Sequence, residues 1–206
     1  MSSPNEFMPP FPSVATISSN YITTFDQRNY FIKGSCTYLL TRDFFGGEFD
    51  ILAEFGQFGE GDSEGQLKSI ALRAGPEQID WTYLHLSGMV TQQDEGLELP
   101  ATVGNFIISS SDSHLTASLK DSEDLEINCN LKYQTCSVML KGTYFGRVGG
   151  LFGNNNYEPG DDSLCPARND METASDILNS WTVSESCRPA RTSYHKIDVV
   201  PHHVSL

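Results

Sequence analysis

The residues best suited to chemistry lie in a glycine-rich stretch from Gly142 to Asp162, which reads GTYFGRVGGLFGNNNYEPGDD. Its glycines indicate tight turns and positive φ angles, and Asn and Asp tolerate the same backbone while offering oxygen atoms. Side-chain oxygens recur in its second half, at Asn154, Asn156, Glu158, Asp161 and Asp162. Ca²⁺ takes about 6–8 oxygen ligands from loops of this kind. The alternative is a polar surface loop that binds nothing, and the spacing alone leaves both interpretations open.

Other motifs that carry chemistry are absent from the sequence. The loop is not an EF-hand, because Pro159 takes the place of the sixth-position glycine and no glutamate ends it. Neither a Gly-x-Ser-x-Gly elbow nor a His-Glu-x-x-His motif occurs. The histidines His85 and His114 lie in predicted strands, where packing is their ordinary role. We therefore predict that the chain is not an enzyme.

Motifs near both ends of the chain resemble those of a known family. The loop, together with the later run LNSWTVSESC, resembles the end of a von Willebrand factor type D domain. The run YITTFDQRNYFIKGSCTYLL resembles the opening strands of that family. The resemblance implies one structural calcium site that joins an early aspartate to the late loop. The ligands that it implies are Asp26, Asn154, Asn156, the Glu158 backbone carbonyl, Asp161 and Asp162.

One departure from the family pattern concerns Phe152, which stands where the family usually has a cysteine. The usual partner of that cysteine lies near Val14, and no cysteine occurs there either. The loss of both halves resembles the variant found in large lipid-transfer proteins, the apolipophorin and vitellogenin relatives, more than the form found in mucins. We expect Phe152 to be buried, with its ring filling the space of both sulfurs.

The cysteines indicate disulfides rather than a metal site. They are Cys36, Cys129, Cys136, Cys165 and Cys187, with no CxxC pair and no accompanying His cluster, which argues against zinc and for an oxidising compartment. With one cysteine set aside, the other four allow three pairings. The family resemblance pairs Cys36 with Cys187 and leaves Cys129 and Cys136 as local partners. Cys165 is then a free thiol or a link to another chain.

Composition limits the possible partners. The chain of 206 residues has a formal net charge of −14, whereas nucleic acids and anionic membranes bind basic surfaces. No stretch approaches the roughly 20 apolar residues that a membrane span requires. The first residues, MSSPNEFMPPFPSV, lack the charged start and apolar run of a signal peptide. Because the cysteines and the family imply secretion, we expect a fragment of a longer secreted protein.

The elements that must position these residues are predicted from periodicity and from breaks in it. Residues 1–16 contain four prolines and are predicted to be a linker or extended arm, residues 17–187 the domain, and residues 188–206 a tail. Apolar and polar residues alternate in short runs between turn residues, which predicts a mainly β fold. The expected architecture is an antiparallel β-sandwich with one short C-terminal helix.

Two of these elements are predicted in more detail. The run from Phe49 to Phe55 alternates apolar with acidic residues, which predicts a strand with one buried face and one solvent face. Apolar residues at helical spacing predict a helix from Asp170 to Ser180, capped by Asn169 or Asp170.

The function expected from these observations is that of a non-enzymatic, calcium-stabilised extracellular module in a large secreted lipid-transport lipoprotein. Its expected partners are other domains of the same lipoprotein, with the lipid held elsewhere in that protein. Two alternatives remain open. The domain could serve assembly in a clottable or gel-forming extracellular protein, with Cys165 as the intermolecular thiol. A metal-dependent hydrolase that uses residues 154–162 is the other, and it lacks a general base.

Overall fold

The computed structural model describes residues 11–56, 65–75, 78–163 and 173–183. Within them the chain forms fifteen strands, two short 3-10 turns and one α-helix. The strands are β1 (Ser13–Ile17), β2 (Tyr21–Thr23), β3 (Asn29–Phe31), β4 (Thr37–Asp43), β5 (Phe49–Gly56), β6 (Gln66–Ala74), β7 (Thr82–His85), β8 (Val90–Gln92), β9 (Glu95–Gly96), β10 (Ala101–Val103), β11 (Phe106–Ser111), β12 (His114–Leu119), β13 (Leu125–Asn130), β14 (Thr135–Leu140) and β15 (Val148–Gly149). The 3-10 turns are Gly142–Tyr144 and Asp161–Ser163, and the helix α1 is Ala174–Ser180.

The strands form two antiparallel sheets with a shared core. The first sheet has the order β10-β11-β12-β13-β14-β1-β2-β3, and the second has the order β15-β4-β5-β6-β7-β8-β9. Buried apolar side chains from both sheets form one continuous hydrophobic cluster. The predicted fold class is therefore confirmed: the chain is mainly β, a two-sheet antiparallel sandwich with one short helix near its C-terminal end.

The first strand begins earlier than predicted, at Ser13, within the residues 1–16 that were predicted to be a linker or extended arm. Strand β1 starts at Ser13 and pairs along its whole length with β14. Ala15 and Ile17 are fully buried. The strand therefore begins directly after Pro12, the last of the prolines in the predicted arm, which cannot donate a hydrogen bond to a neighbouring strand. Residues 1–10 of the predicted arm and the predicted tail, residues 188–206, lie outside the described residues.

Strand β5 is buried on both faces, whereas alternation predicted a solvent face. Asp50 on that face is 7% exposed and is ion-paired with Arg42 and Arg73 from the two neighbouring strands. Leu52, two residues later, belongs to a small second core against which Trp181 packs. The negative charge of Asp50 is thus balanced by two arginines instead of being hydrated by water. Because both arginines lie on other strands, the sequence of β5 alone could not predict this burial.

Helix α1 is shorter than predicted and has a different cap. It begins after Thr173, whose hydroxyl oxygen accepts a hydrogen bond from the backbone N–H of Asp176. The predicted cap positions fall in residues 164–172, outside the described ones. At the other end, the carbonyl of Trp181 accepts a hydrogen bond from the N–H of Leu39, which fastens the end of the helix to strand β4.

The disulfides agree in part with what the resemblance implies. Cys129 and Cys136 lie opposite each other on β13 and β14 and form a disulfide. Cys36 is also disulfide-bonded. Cys165 and Cys187 lie outside the described residues, so the Cys36–Cys187 bond and the free thiol at Cys165 stay predictions for peptide mapping of the unreduced protein.

Phe152 is fully buried, as predicted, and it joins the two sheets. Its ring packs edge-on against Phe25, with the ring centroids 5.7 Å apart. Its carbonyl accepts a hydrogen bond from the N–H of Phe25 at 2.9 Å, and its own N–H donates to the carbonyl of Leu40 at 2.9 Å. Phe25 follows β2 in the first sheet and Leu40 belongs to β4 in the second, so Phe152 ties one sheet to the other.

We expect Phe152→Ala to lower the free energy of unfolding by about 3–5 kcal/mol, because it leaves a cavity between the sheets. Denaturant unfolding monitored by circular dichroism measures the change. Phe45→Ala is the matched control: that ring is 64% exposed, so its loss should change the free energy by less than about 0.5 kcal/mol. Similar losses for the two variants would contradict the role given to Phe152.

Candidate metal centre

The predicted ligands come from two segments that the fold brings together: the turn between β2 and β3 and the loop after β15. The turn is tight, since the N–H of Thr24 donates to the carbonyl of Arg28 and Gln27 has a φ of +66°. The hydroxyl of Thr24 donates across to the Asp162 carboxylate. The same hydroxyl accepts a hydrogen bond from the backbone N–H of Arg28. This turn therefore presents its side chains directly to the late loop.

Asp26, at the tip of the turn, is held by two consecutive backbone amides of the loop. Its carboxylate oxygens accept hydrogen bonds from the N–H groups of Asn156 at 3.2 Å and Tyr157 at 2.7 Å. Asn155 and Tyr157 both adopt positive φ angles, of +58° and +66°, which turns the loop around the carboxylate. As a result Asp26 is 4% exposed, although it is charged.

The end of the loop places two more carboxylates beside Asp26. The 3-10 turn Asp161–Ser163 begins with two successive aspartates. One oxygen of Asp161 accepts hydrogen bonds from the side-chain amides of Asn154 and Asn156, at 3.0 and 2.9 Å. Ligand atoms of Asp26, Asp161 and Asp162 all lie within 4.8 Å of one another. Three acidic groups thus converge at the junction of the two segments.

This proximity has an electrostatic consequence for Asp162, which is 3% exposed. Burial, the largest cause, and the negative charge of Asp26 together raise the pKa of Asp162 to about 7, although the hydrogen bond from Thr24 acts in the opposite direction. Carboxylates gathered in a buried site repel one another unless a proton or a cation intervenes. Without a cation, the site is therefore electrostatically unfavourable near neutral pH.

Several oxygens of the site have no hydrogen-bond partner among the described residues, although buried polar atoms are ordinarily paired. These buried atoms are Oδ1 of Asn154, Oδ1 of Asn155, Oδ1 of Asp161 and Oδ1 of Asp162. All four are acceptors: two belong to the converging carboxylates and two are asparagine oxygens of the same loop, so the unpaired atoms form an oxygen-only set. Such a set suits a hard cation such as Ca²⁺, whereas zinc favours nitrogen and sulfur ligands. The residues present therefore fit a calcium ion.

Of the predicted ligands, Glu158 is placed differently from the others. Its side chain is exposed, and its backbone carbonyl accepts a hydrogen bond from the N–H of Asp161 at 3.2 Å. Asn156 also has a second role, because its Oδ1 accepts from the N–H of Glu158 at 2.8 Å while its amide holds Asp161.

Sequence reasoning missed Asn155, which is 2% exposed with an unpartnered oxygen. Its place in a run of three asparagines was the available signal.

Comparison with known proteins gives a family match. The family model for the von Willebrand factor type D domain matches residues 15–168. The chain is similar to apolipophorins of Locusta migratoria, with 28% identity over 97% of its length. It is also similar to mucin-2 of Mus musculus, with 26% identity over 86%, and to von Willebrand factor of Bos taurus, with 27% identity over 82%. The chain spans 5%, 4% and 18% of those relatives, respectively.

The structure adds one observation about membranes. In the parts of the chain that it describes, no helix has both the length and the apolar character needed to cross a bilayer.

Gly153 allows a test of how closely the site is packed. It has a φ of +80°, and a Cβ built there would lie 1.9 Å from Oδ1 of Asp162. Gly146 is the matched control, since it has a φ of +64° but nothing within 4 Å of such a Cβ. Both alanine variants pay the left-handed backbone penalty of about 1–2 kcal/mol. We expect Gly153→Ala to lower the free energy of unfolding by a further amount, because Asp162 must move. Equal losses in denaturant unfolding would contradict this packing.

Proposed function

The chain belongs to the von Willebrand factor type D domain family, and we propose that it is a non-enzymatic, calcium-stabilised extracellular module of a larger protein. The observation that carries the proposal is the convergence of three carboxylates, two of which have a buried oxygen without a hydrogen-bond partner, in a loop that also has two unpartnered asparagine oxygens. The burial of Asp26 and Asp162 also favours a structural ion over a hydrolytic one, because a substrate has no access to them.

The ion's role follows from the positions of its candidate ligands. Asp26, Asp161 and Asp162 would supply the charged oxygens, and Asn154 and Asn155 the neutral ones. A bound Ca²⁺ supplies positive charge that removes the repulsion among the carboxylates. Since Asp26 and Asn156 are 130 residues apart in sequence, the ion would also tie the turn between β2 and β3 to the loop that follows β15. A ligand that binds only the folded state raises the free energy of unfolding by RT ln(1 + [L]/Kd).

The parent that we propose is a large secreted lipid-transport lipoprotein. The similarity to apolipophorins over 97% of the chain supports this parent. In such a protein the partners of this domain are other domains of the same polypeptide, and the lipid is held elsewhere.

The calcium proposal is tested by thermal unfolding of metal-depleted protein, with chelator or with added CaCl₂. Calcium at about 100 times its Kd should stabilise the wild type by about 2.7 kcal/mol and raise its Tm. Asp162→Asn should abolish most of this increase while keeping an acceptor for Thr24. Because it removes a buried charge, the metal-free variant should be at least as stable as the metal-free wild type.

The matched control is Asp94→Asn, the same substitution at an exposed residue in the turn between β8 and β9. It should respond to calcium as the wild type does. A wild-type Tm that is the same with chelator and with calcium, in a sample shown by elemental analysis to be metal-free, refutes the calcium proposal.

A second candidate function is assembly in a clottable or gel-forming protein. The similarity to mucin-2 and von Willebrand factor favours it, and so does the odd number of cysteines. Non-reducing gel electrophoresis separates the two candidates. The lipoprotein module should migrate as a monomer, whereas an assembly domain should give a disulfide-linked dimer that Cys165→Ser eliminates.

A further inference from the structure

Arg28 joins the two halves of the candidate calcium site without being a ligand. Its Nη1 donates hydrogen bonds to the backbone carbonyls of Pro159, at 3.1 Å, and Gly160, at 3.2 Å. These two residues immediately precede Asp161, and Arg28 itself follows Asp26 by two positions. The guanidinium therefore connects the chain next to one ligand with the chain next to two others.

The guanidinium is also supported from a second direction. It lies over the ring of Tyr30, with its central carbon 5.2 Å from the ring centroid. Tyr30 belongs to strand β3 and is half-buried, so the ring is a fixed platform rather than a mobile surface group. The backbone N–H of Arg28 donates to the hydroxyl of Thr24 at 3.0 Å, which fixes the start of the side chain as well.

We infer that Arg28 is a positioning residue for the calcium site: it clamps the loop at residues 159–160 so that Asp161 and Asp162 face Asp26 before the ion arrives. This inference rests on the calcium function proposed above. A site assembled in advance binds more tightly, because less conformational freedom is lost on binding. The clamp should therefore increase calcium affinity and slow the release of the ion.

The sign of the effect separates positioning from plain electrostatics. A positive charge beside a cation site repels the cation, so on charge alone the loss of Arg28 would strengthen calcium binding. If Arg28 positions the loop, its loss weakens binding instead. The two accounts thus predict opposite changes for the same variant.

The experiment is isothermal titration of the whole metal-free chain with CaCl₂ at about 0.15 M salt, where screening is near its physiological level. Arg28→Gln should bind calcium about tenfold more weakly, as expected for two hydrogen bonds from a partly exposed charged donor. Lys132→Gln is the matched control, since it removes one positive charge from the exposed turn between β13 and β14. Its affinity should match that of the wild type.

A conservative variant and a kinetic measurement complete the test. Arg28→Lys keeps the charge and can reach the carbonyls but lacks the planar guanidinium, so its affinity should lie between those of the wild type and Arg28→Gln. Calcium release, followed by stopped-flow mixing with a chelator, should be faster in both variants. Tyr30→Leu removes the ring under the guanidinium and should raise the release rate as well.

The possible results separate failure of the positioning role of Arg28 from failure of the calcium function. If the wild type binds no calcium, the calcium function itself is refuted. If the wild type binds calcium and Arg28→Gln binds it equally or more tightly, the positioning role alone is overturned. Should Arg28→Gln fail to fold, an affinity of Arg28→Lys equal to or above that of the wild type overturns it as well.

Discussion

Two backbone amides of the late loop donate hydrogen bonds to the carboxylate of Asp26, and the rest of the site depends on that contact. It holds together segments that are 130 residues apart, and it does so next to Phe25, whose ring meets Phe152 between the sheets. The closing of the hydrophobic core and the assembly of the acidic site therefore share one turn. A substitution that disrupts the packing of the core is therefore expected to disrupt the acidic site, and the reverse is expected as well.

The same contact brings a negative charge into a buried position, where it meets Asp161 and Asp162. Burial of uncompensated charge is costly, and the protein compensates Asp50 elsewhere with two arginines. No described cation makes an ion pair with Asp26, Asp161 or Asp162, while several oxygens there lack partners. In the function that we propose, a calcium ion would complete here the charge balance that arginine side chains supply at Asp50.

Much of the fold could be predicted from local patterns, because alternation in each strand reflects which face meets the core. The failures occur where distant residues decide the outcome. Asp50 is buried because Arg42 and Arg73 flank it, and β1 begins at Ser13 because β14 pairs with it. In the site, the acidic residues were visible in the sequence. The burial of Asn155 and the contacts of Arg28 were not, since both depend on loop φ angles and on long-range packing.

We propose that one Ca²⁺ ion joins the early turn to the late loop. The most direct test is a crystal grown with CaCl₂, with anomalous scattering used to locate the ion. We expect one anomalous peak at about 2.3–2.6 Å from carboxylate oxygens of Asp26, Asp161 and Asp162. Density without an anomalous signal at that position, or a peak bound only by exposed carboxylates elsewhere, would contradict it.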